Sequence, residues 1–312
     1  MTPYLWRLCC LSLAVLFVVQ ICAGLLVRLA APRVLSLAER LDPAKAAALM
    51  LAFRWLPGVL GLFVALCLCV PAYLRLEPLS SDEEIGFACV CLGCLALLSY
   101  LIPVARVVSN VVRSEVRLRA LVRDAEERAG LFVIRETSPA MALAGLFHSR
   151  VVVSREVERL LTADQMDAAR RHEGAHRESL DNWKRLVLEG APIDLSGRSL
   201  RSAWSRFTEW AADDKATEGE PARSVALASA LVSVARLASA DCLPHASMLV
   251  SDGRALRARV ERLLAQTKRT PQPFPVAAVV SVALTLAALA VAIAQQPAGA
   301  AIVHQLLESL VE

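Results

Sequence analysis

Formal charge is missing from four long stretches of this 312-residue chain: Leu8–Val27, Trp55–Leu74, Ile85–Val104 and Phe274–Ala294. Each is about 20 residues long, enough to cross a hydrocarbon core of about 30 Å as a helix. Their only ionisable groups are cysteine thiols and tyrosine phenols, which speaks against a metal transporter, whose path would carry such groups. A strong basic excess is missing as well. The net charge of +4 is too slight to argue for direct nucleic-acid binding, so the placement of the basic residues matters more than their number. Aromatic residues are scarce at 5%, whereas apolar residues reach 56%, above the roughly 45–50% usual in globular chains, which points to the membrane. No repeat and no low-complexity linker divides the chain. No disulfide framework is implied either. Eight of the nine cysteines (Cys9, Cys10, Cys22, Cys67, Cys69, Cys89, Cys91 and Cys94) fall in the uncharged stretches, and only Cys242 lies elsewhere. The run Cys89-Val-Cys-Leu-Gly-Cys94 is expected to pack as small hydrophobes in a helix rather than to bind metal.

What charge there is has a pattern. Arg7 and Arg28 bracket the first stretch as snorkelling anchors do, which favours an uncleaved helix over a signal peptide. Arg28, Arg33, Arg40, Lys45 and Arg54 lie between the first two stretches, and the loop after the second is acidic, with Glu77, Asp82, Glu83 and Glu84. Arg106, Arg113, Arg117, Arg119 and Arg123 follow the third, Lys268 and Arg269 precede the fourth, and the tail has neither Lys nor Arg. The positive-inside rule then predicts a multi-pass protein of the plasma membrane (the inner membrane of a cell with two), with both termini extracytoplasmic and a cytoplasmic segment from about 105 to 273. The predicted organisation is three spans in 1–104, a soluble domain in 105–273, and a fourth span with a short tail in 274–312.

Within the soluble segment, residues 106–129 predict a helix continuing the third span, ended by Gly130. Leu131–Arg135 and Arg150–Ser154 are short and rich in β-branched residues, as strands are, with Ser138–Phe147 a further extended edge or a loop. Thr162-Ala-Asp-Gln165 has the form of a capping box and opens a helix expected to reach about Glu189. Further helices are expected over 200–216, 221–238 and 254–266.

The chemistry concentrates in His172-Glu173-Gly-Ala-His176, inside the first of those helices. Residues four apart share a helix face, so both imidazoles can converge on one Zn²⁺. Glu173, one step round, would take a proton from a water activated by the metal as that water attacks a carbonyl. A catalytic zinc needs a third protein ligand. Glu209-Trp-Ala-Ala-Asp213 offers two carboxylates on one face of a later helix. Glu209 is the expected ligand and Asp213 the acceptor that fixes a histidine tautomer, with the reverse assignment of Asp213 as ligand left open. His148 and His245 are expected to be structural, and His304 falls on the far side of the membrane. Asp181 and Asn182 are expected to be structural as well.

Taken together, Gly145-Leu-Phe, Arg150-Val-Val-Val-Ser154, Leu160–Asp164, the HEGAH helix with Asp181-Asn182, Glu209-Trp-Ala-Ala-Asp213 and Leu256-Arg-Ala-Arg-Val-Glu-Arg-Leu-Leu264 resemble the BlaR/MecR-type integral-membrane metallopeptidases. The order of three spans, a catalytic segment and a fourth span is similar to that family's layout, and the resemblance covers nearly the whole chain. CAAX-processing and heat-shock membrane peptidases share both metal motifs, but their spans fit less well. The resemblance implies a gluzincin-type zinc endopeptidase cleaving cytoplasmic or membrane-proximal proteins, or itself. In antibiotic-sensing members the substrate is a cytoplasmic transcriptional repressor and an extracellular penicillin-binding domain follows the last span. Here 18 residues follow Ala294, so β-lactam sensing is not expected.

The expected fold is a mainly α membrane protein, four transmembrane helices with an α+β zincin-like metallopeptidase domain between the third and fourth. The expected function is zinc-dependent proteolysis in signalling or regulation. The alternative is an inactive membrane scaffold that keeps the metallopeptidase fold.

Overall fold

The protein was analysed as a computed structural model, which describes residues 2–78, 85–123, 125–128, 131–134, 141–146, 150–193, 195, 198–240, 253–265, 285, 287–292 and 294–308. Three helices are long and apolar enough to cross a membrane: Tyr4–Ala38, Pro43–Leu76 and Phe87–Arg123. The expected fourth span lies largely outside the described residues, although 287–292 within it are helical. Asp82, Glu83 and Glu84 of the acidic loop also lie outside them.

Helix α1 (Thr2–Ala38) turns tightly into α2 (Pro43–Val64). Asp42 caps α2 by accepting hydrogen bonds from the Ala44 and Lys45 amides at 3.0 and 3.4 Å, and Pro43 supplies a first-turn residue with no amide to satisfy. The rod continues through a π-helical turn at Ala65–Cys69, just ahead of Pro71, into α3 (Val70–Leu76). The two rods approach closely at Gly61, where a Cβ would stand 2.8 Å from the Leu16 carbonyl oxygen. Arg7 is 5% exposed and pairs with Glu77 at 3.0 Å, tying the start of α1 to the end of α3.

At 1.5 Å per residue, the 34 residues from Pro43 to Leu76 extend about 50 Å, well beyond a core of about 30 Å. The α1–α2 end of these rods packs against helices that follow later in the chain. Val27, Ala31, Val34 and Ala38 of α1 and Ala46, Ala47 and Met50 of α2 share one core with Leu188, Leu200, Trp204 and Phe207.

Helix α4 (Phe87–Arg123) stops about six residues before the expected end. Glu126–Arg128 is instead strand β1, drawn into antiparallel pairing with β2 (Leu131–Ile134). β2 runs parallel to β4 (Arg150–Ser154), and β3 (Met141–Ala144) pairs antiparallel with β4, giving the order β1-β2-β4-β3. The period-two alternation of the strands sorts their side chains. Leu131, Val133, Met141 and Val153 face one core, while Ile134 and Val152 meet Leu118 of α4 on the other side.

After α5 (Arg155–Leu160), the Thr162–Gln165 capping box starts α6 (Ala163–Glu178), with both reciprocal bonds made. The single helix expected to reach Glu189 is two. Leu180 adopts a left-handed conformation (φ 55°) and the chain restarts as α7 (Asp181–Gly190). Three helices complete the domain: α8 (Arg198–Thr217), α9 (Pro221–Ala240) and α10 (Gly253–Leu264). The C-terminal helix Pro297–Glu308 lies against α3, where Arg75 donates to the Gln295 carbonyl.

Candidate metal centre

Four helices and one strand meet around the HEGAH segment. α6 carries His172, Glu173 and His176, with His172 and Glu173 buried. α8 lies against it and supplies Glu209 and Asp213, one helical turn apart and so on one face. The restart at Leu180 places the first residue of α7, Asp181, beside His176. α10 adds Arg259, and β3 adds the Leu143 amide.

The ligand atoms of His172, His176 and Glu209 all lie within 4.8 Å of one another. The two Nε2 atoms are 3.1 Å apart, Glu209 Oε2 is 3.5 Å from His172 Nε2, and Glu209 Oε1 is 3.7 Å from His176 Nε2. Tetrahedral bonds of about 2.0–2.1 Å require ligand separations of about 3.3 Å, close to the spacing of the observed triangle. The donor set of two imidazoles and one carboxylate suits zinc chemically. Among the described residues this is the group with metal-holding geometry. Cys89 is instead packed in an apolar cluster with Cys10, Ala14 and Tyr73.

Each ligand has a neighbour behind it. The Asp181 carboxylate accepts from His176 Nδ1 at 2.8 Å, which leaves Nε2 facing the centre. Asp213 Oδ1 stands 3.1 Å from His172 Nδ1, a close charge contact whose angle falls short of a well-aligned hydrogen bond. Arg259 spans two carboxylates. Its Nε and Nη2 donate to Asp213 at 3.0 and 2.7 Å, and its Nη1 lies 2.9 Å from Glu209 Oε2. Glu173 accepts the Leu143 amide on Oε2 at 2.7 Å, which anchors the carboxylate to the edge strand of the sheet.

That edge strand is held in turn. Asn182 donates to the Gly145 carbonyl at 2.9 Å, and Glu115 of α4 accepts from the Leu146 amide at 3.1 Å. Gly145 takes φ 94°, a conformation open to glycine, so the chain can leave β3 beside the centre.

The electrostatics follow from burial and pairing. Burial alone would raise Glu209, but the close contact with His172 and the Arg259 charge outweigh it and bring its pKa down to about 2. Burial would raise Asp213 in the same way, yet the Arg259 charge and the His172 contact hold it well below the usual carboxylate range. Burial would lower His172, but Asp213 and Glu209 push it up to about 10. Burial raises Glu173, and the two histidines and the Leu143 amide offset this only in part. A carboxylate raised from its ordinary value is a better proton acceptor near neutrality.

The structure therefore brings together His172, Glu173, His176, Glu209 and Asp213. His148 and His245 lie outside the described residues, and His304 belongs to the C-terminal helix beside α3. The expectation that Asp181 is merely structural is corrected by its bond to His176. Two further contributors, Arg259 and the Leu143 amide, have no role assignable from the sequence. The run 256–264 that contains Arg259 stands out only through the family resemblance. The Leu143 amide has no side-chain signature to find. In comparisons with protein-family models, characterised proteins and solved structures, the chain matches none.

Proposed function

We propose that this chain is a membrane-anchored zinc endopeptidase of the BlaR/MecR-type, gluzincin kind. One observation carries the reading: three ligand atoms from His172, His176 and Glu209 stand at zinc-compatible separations with Glu173 adjacent and buried. When bound there, zinc supplies Lewis acidity toward a water and a substrate carbonyl. His172, His176 and Glu209 hold it, while Asp181 and Asp213 orient the two rings from behind.

Glu173 does the proton work. Its Oε2 is engaged by Leu143, which leaves Oε1 as the oxygen that would accept from a metal-activated water attacking the peptide carbonyl. Glu173 takes a proton from that water and passes it to the departing amine as the C–N bond breaks. The products are a carboxylate and an amine. The basic residues flanking the apolar helices support a cytoplasmic catalytic segment, and therefore a protein substrate at or near the inner face of the membrane.

The test uses the full chain purified in detergent. Wild type is expected to carry about one zinc per chain and to cleave itself or a broad peptide library, and Glu173→Gln to keep the zinc and lose at least about a hundredfold in rate. His172→Ala and Glu209→Ala are expected to lose the metal. A Glu173→Gln protein that cuts at the wild-type rate removes the proposed base. A zinc-loaded wild type that cleaves nothing establishes the scaffold alternative.

A further inference from the structure

Arg259 reaches the centre from α10, the most distant in sequence of the elements that meet there. It is 7% exposed and faces Asp213, which is 1% exposed. Its planar fork meets both oxygens of Asp213, and its remaining terminal nitrogen lies on the carboxylate of Glu209. Nη2 is also 3.4 Å from His172 Nε2, so the guanidinium borders the ligand triangle itself.

We propose that Arg259 is the positioning residue of the metal centre, one guanidinium fixing both the third ligand and the carboxylate behind His172. The inference rests on the metal centre proposed above but not on proteolysis. A carboxylate offers about four lone-pair positions, so Glu209 can accept from Arg259 and still ligate. Without that donor, Glu209 is a flexible side chain free to leave the triangle. Asp213 would be a buried anion without its guanidinium, displaced from the His172 ring it now faces. Lysine cannot substitute, because a single ammonium cannot engage two carboxylates in the fixed plane of a guanidinium fork.

α10 is itself tied to α8 by a second fork one turn on, in which Arg262 meets both oxygens of Asp214 at 2.6 Å, and by Leu256, Val260 and Leu263 in a shared core. This second fork is a control. It docks the same helix but has no contact with the ligands.

Cobalt(II) is the probe, titrated into metal-stripped full-length protein and read by its visible absorption and by chelator competition. Relative to wild type, Arg259→Lys is expected to weaken cobalt binding about tenfold and Arg259→Gln about a hundredfold, both with an altered absorption band. Arg262→Gln is expected to bind as wild type does. The double variant Asp213→Asn/Arg259→Gln removes the buried charge pair together. It is expected to regain thermal stability yet to bind cobalt more weakly than Asp213→Asn alone, which a purely structural role of Arg259 would not produce. If Arg259→Gln alone fails to fold, the lysine and double variants carry the test. Wild-type cobalt affinity in Arg259→Lys and in the double variant overturns the inference, as does equal weakening by Arg262→Gln. A wild type that binds no cobalt overturns it together with the centre. A wild type that binds cobalt but cleaves nothing overturns only the peptidase reading.

Discussion

Asp181 accepts a 2.8 Å hydrogen bond from His176 Nδ1 across a helix break, five positions along the chain. On a continuous helix the two side chains would diverge. The left-handed Leu180 turns the chain so that they meet. Asp181→Ala is expected to weaken zinc binding by about ten- to a hundredfold, because His176 loses the acceptor that sets its tautomer and ring orientation. Asp181→Asn, which keeps an acceptor oxygen, is expected to lose less. Chelator competition measures both, and equal affinities in Ala, Asn and wild type would deny Asp181 any part in the centre.

Leu180 itself is 60% exposed, so its side chain contributes little burial while its backbone bears the cost of a left-handed conformation. That cost is about 1 kcal/mol for a non-glycine residue. Leu180→Gly is therefore expected to raise stability by up to about 1 kcal/mol, and Leu180→Val to lower it, since β-branching is least tolerated there. Thermal unfolding in detergent decides. A glycine variant that melts below wild type would show that the side chain matters more than the turn.

Arg54 joins the α2 rod to the chain just beyond α7 through three carbonyls. It donates to Ala191 at 2.7 Å and to Pro192 and Ile193 at 2.9 Å each. Trp55, next in the chain, donates to Val187 at 2.8 Å. Arg54→Met leaves several carbonyl groups without their donor in a buried setting and is expected to cost about 3–5 kcal/mol. Lysine at this position is expected to restore less than half, because one ammonium cannot span the same arc. A methionine variant with an unchanged melting temperature would remove these three bonds from any account of stability.

Local patterning made much of this legible from sequence. The strands over 131–134 and 150–154 are short β-branched runs, the Thr162–Gln165 box marks a helix start, and a four-residue spacing places His172 beside His176. The misreadings involve interactions between separated segments. Glu126–Arg128 fits the end of a helix by composition, but pairing with β2 makes it a strand. The Arg7–Glu77 pair joins positions far apart in the chain, so neither residue announces its partner. Arg259 meets Asp213 and Glu209, both on a helix two elements earlier, and nothing in its own helix marks it out. The end of α6 is hidden for a different reason, since a left-handed leucine has no sequence signature of the kind glycine provides.

The core around the α1–α2 turn also bears on how the molecule can be divided. Leu188, Leu200, Trp204 and Phe207 are covered by residues from α1 and α2. Uncovering four such side chains costs about 6–12 kcal/mol at about 1.5–3 kcal/mol each, which is comparable with the whole stability of an ordinary domain. The first two helices are thus part of the interior that supports α7 and α8, and with them the His172–His176–Glu209 group. A fragment beginning near residue 105 would be a different object from the corresponding portion of the intact chain, and solubilising the centre means bringing the hairpin with it.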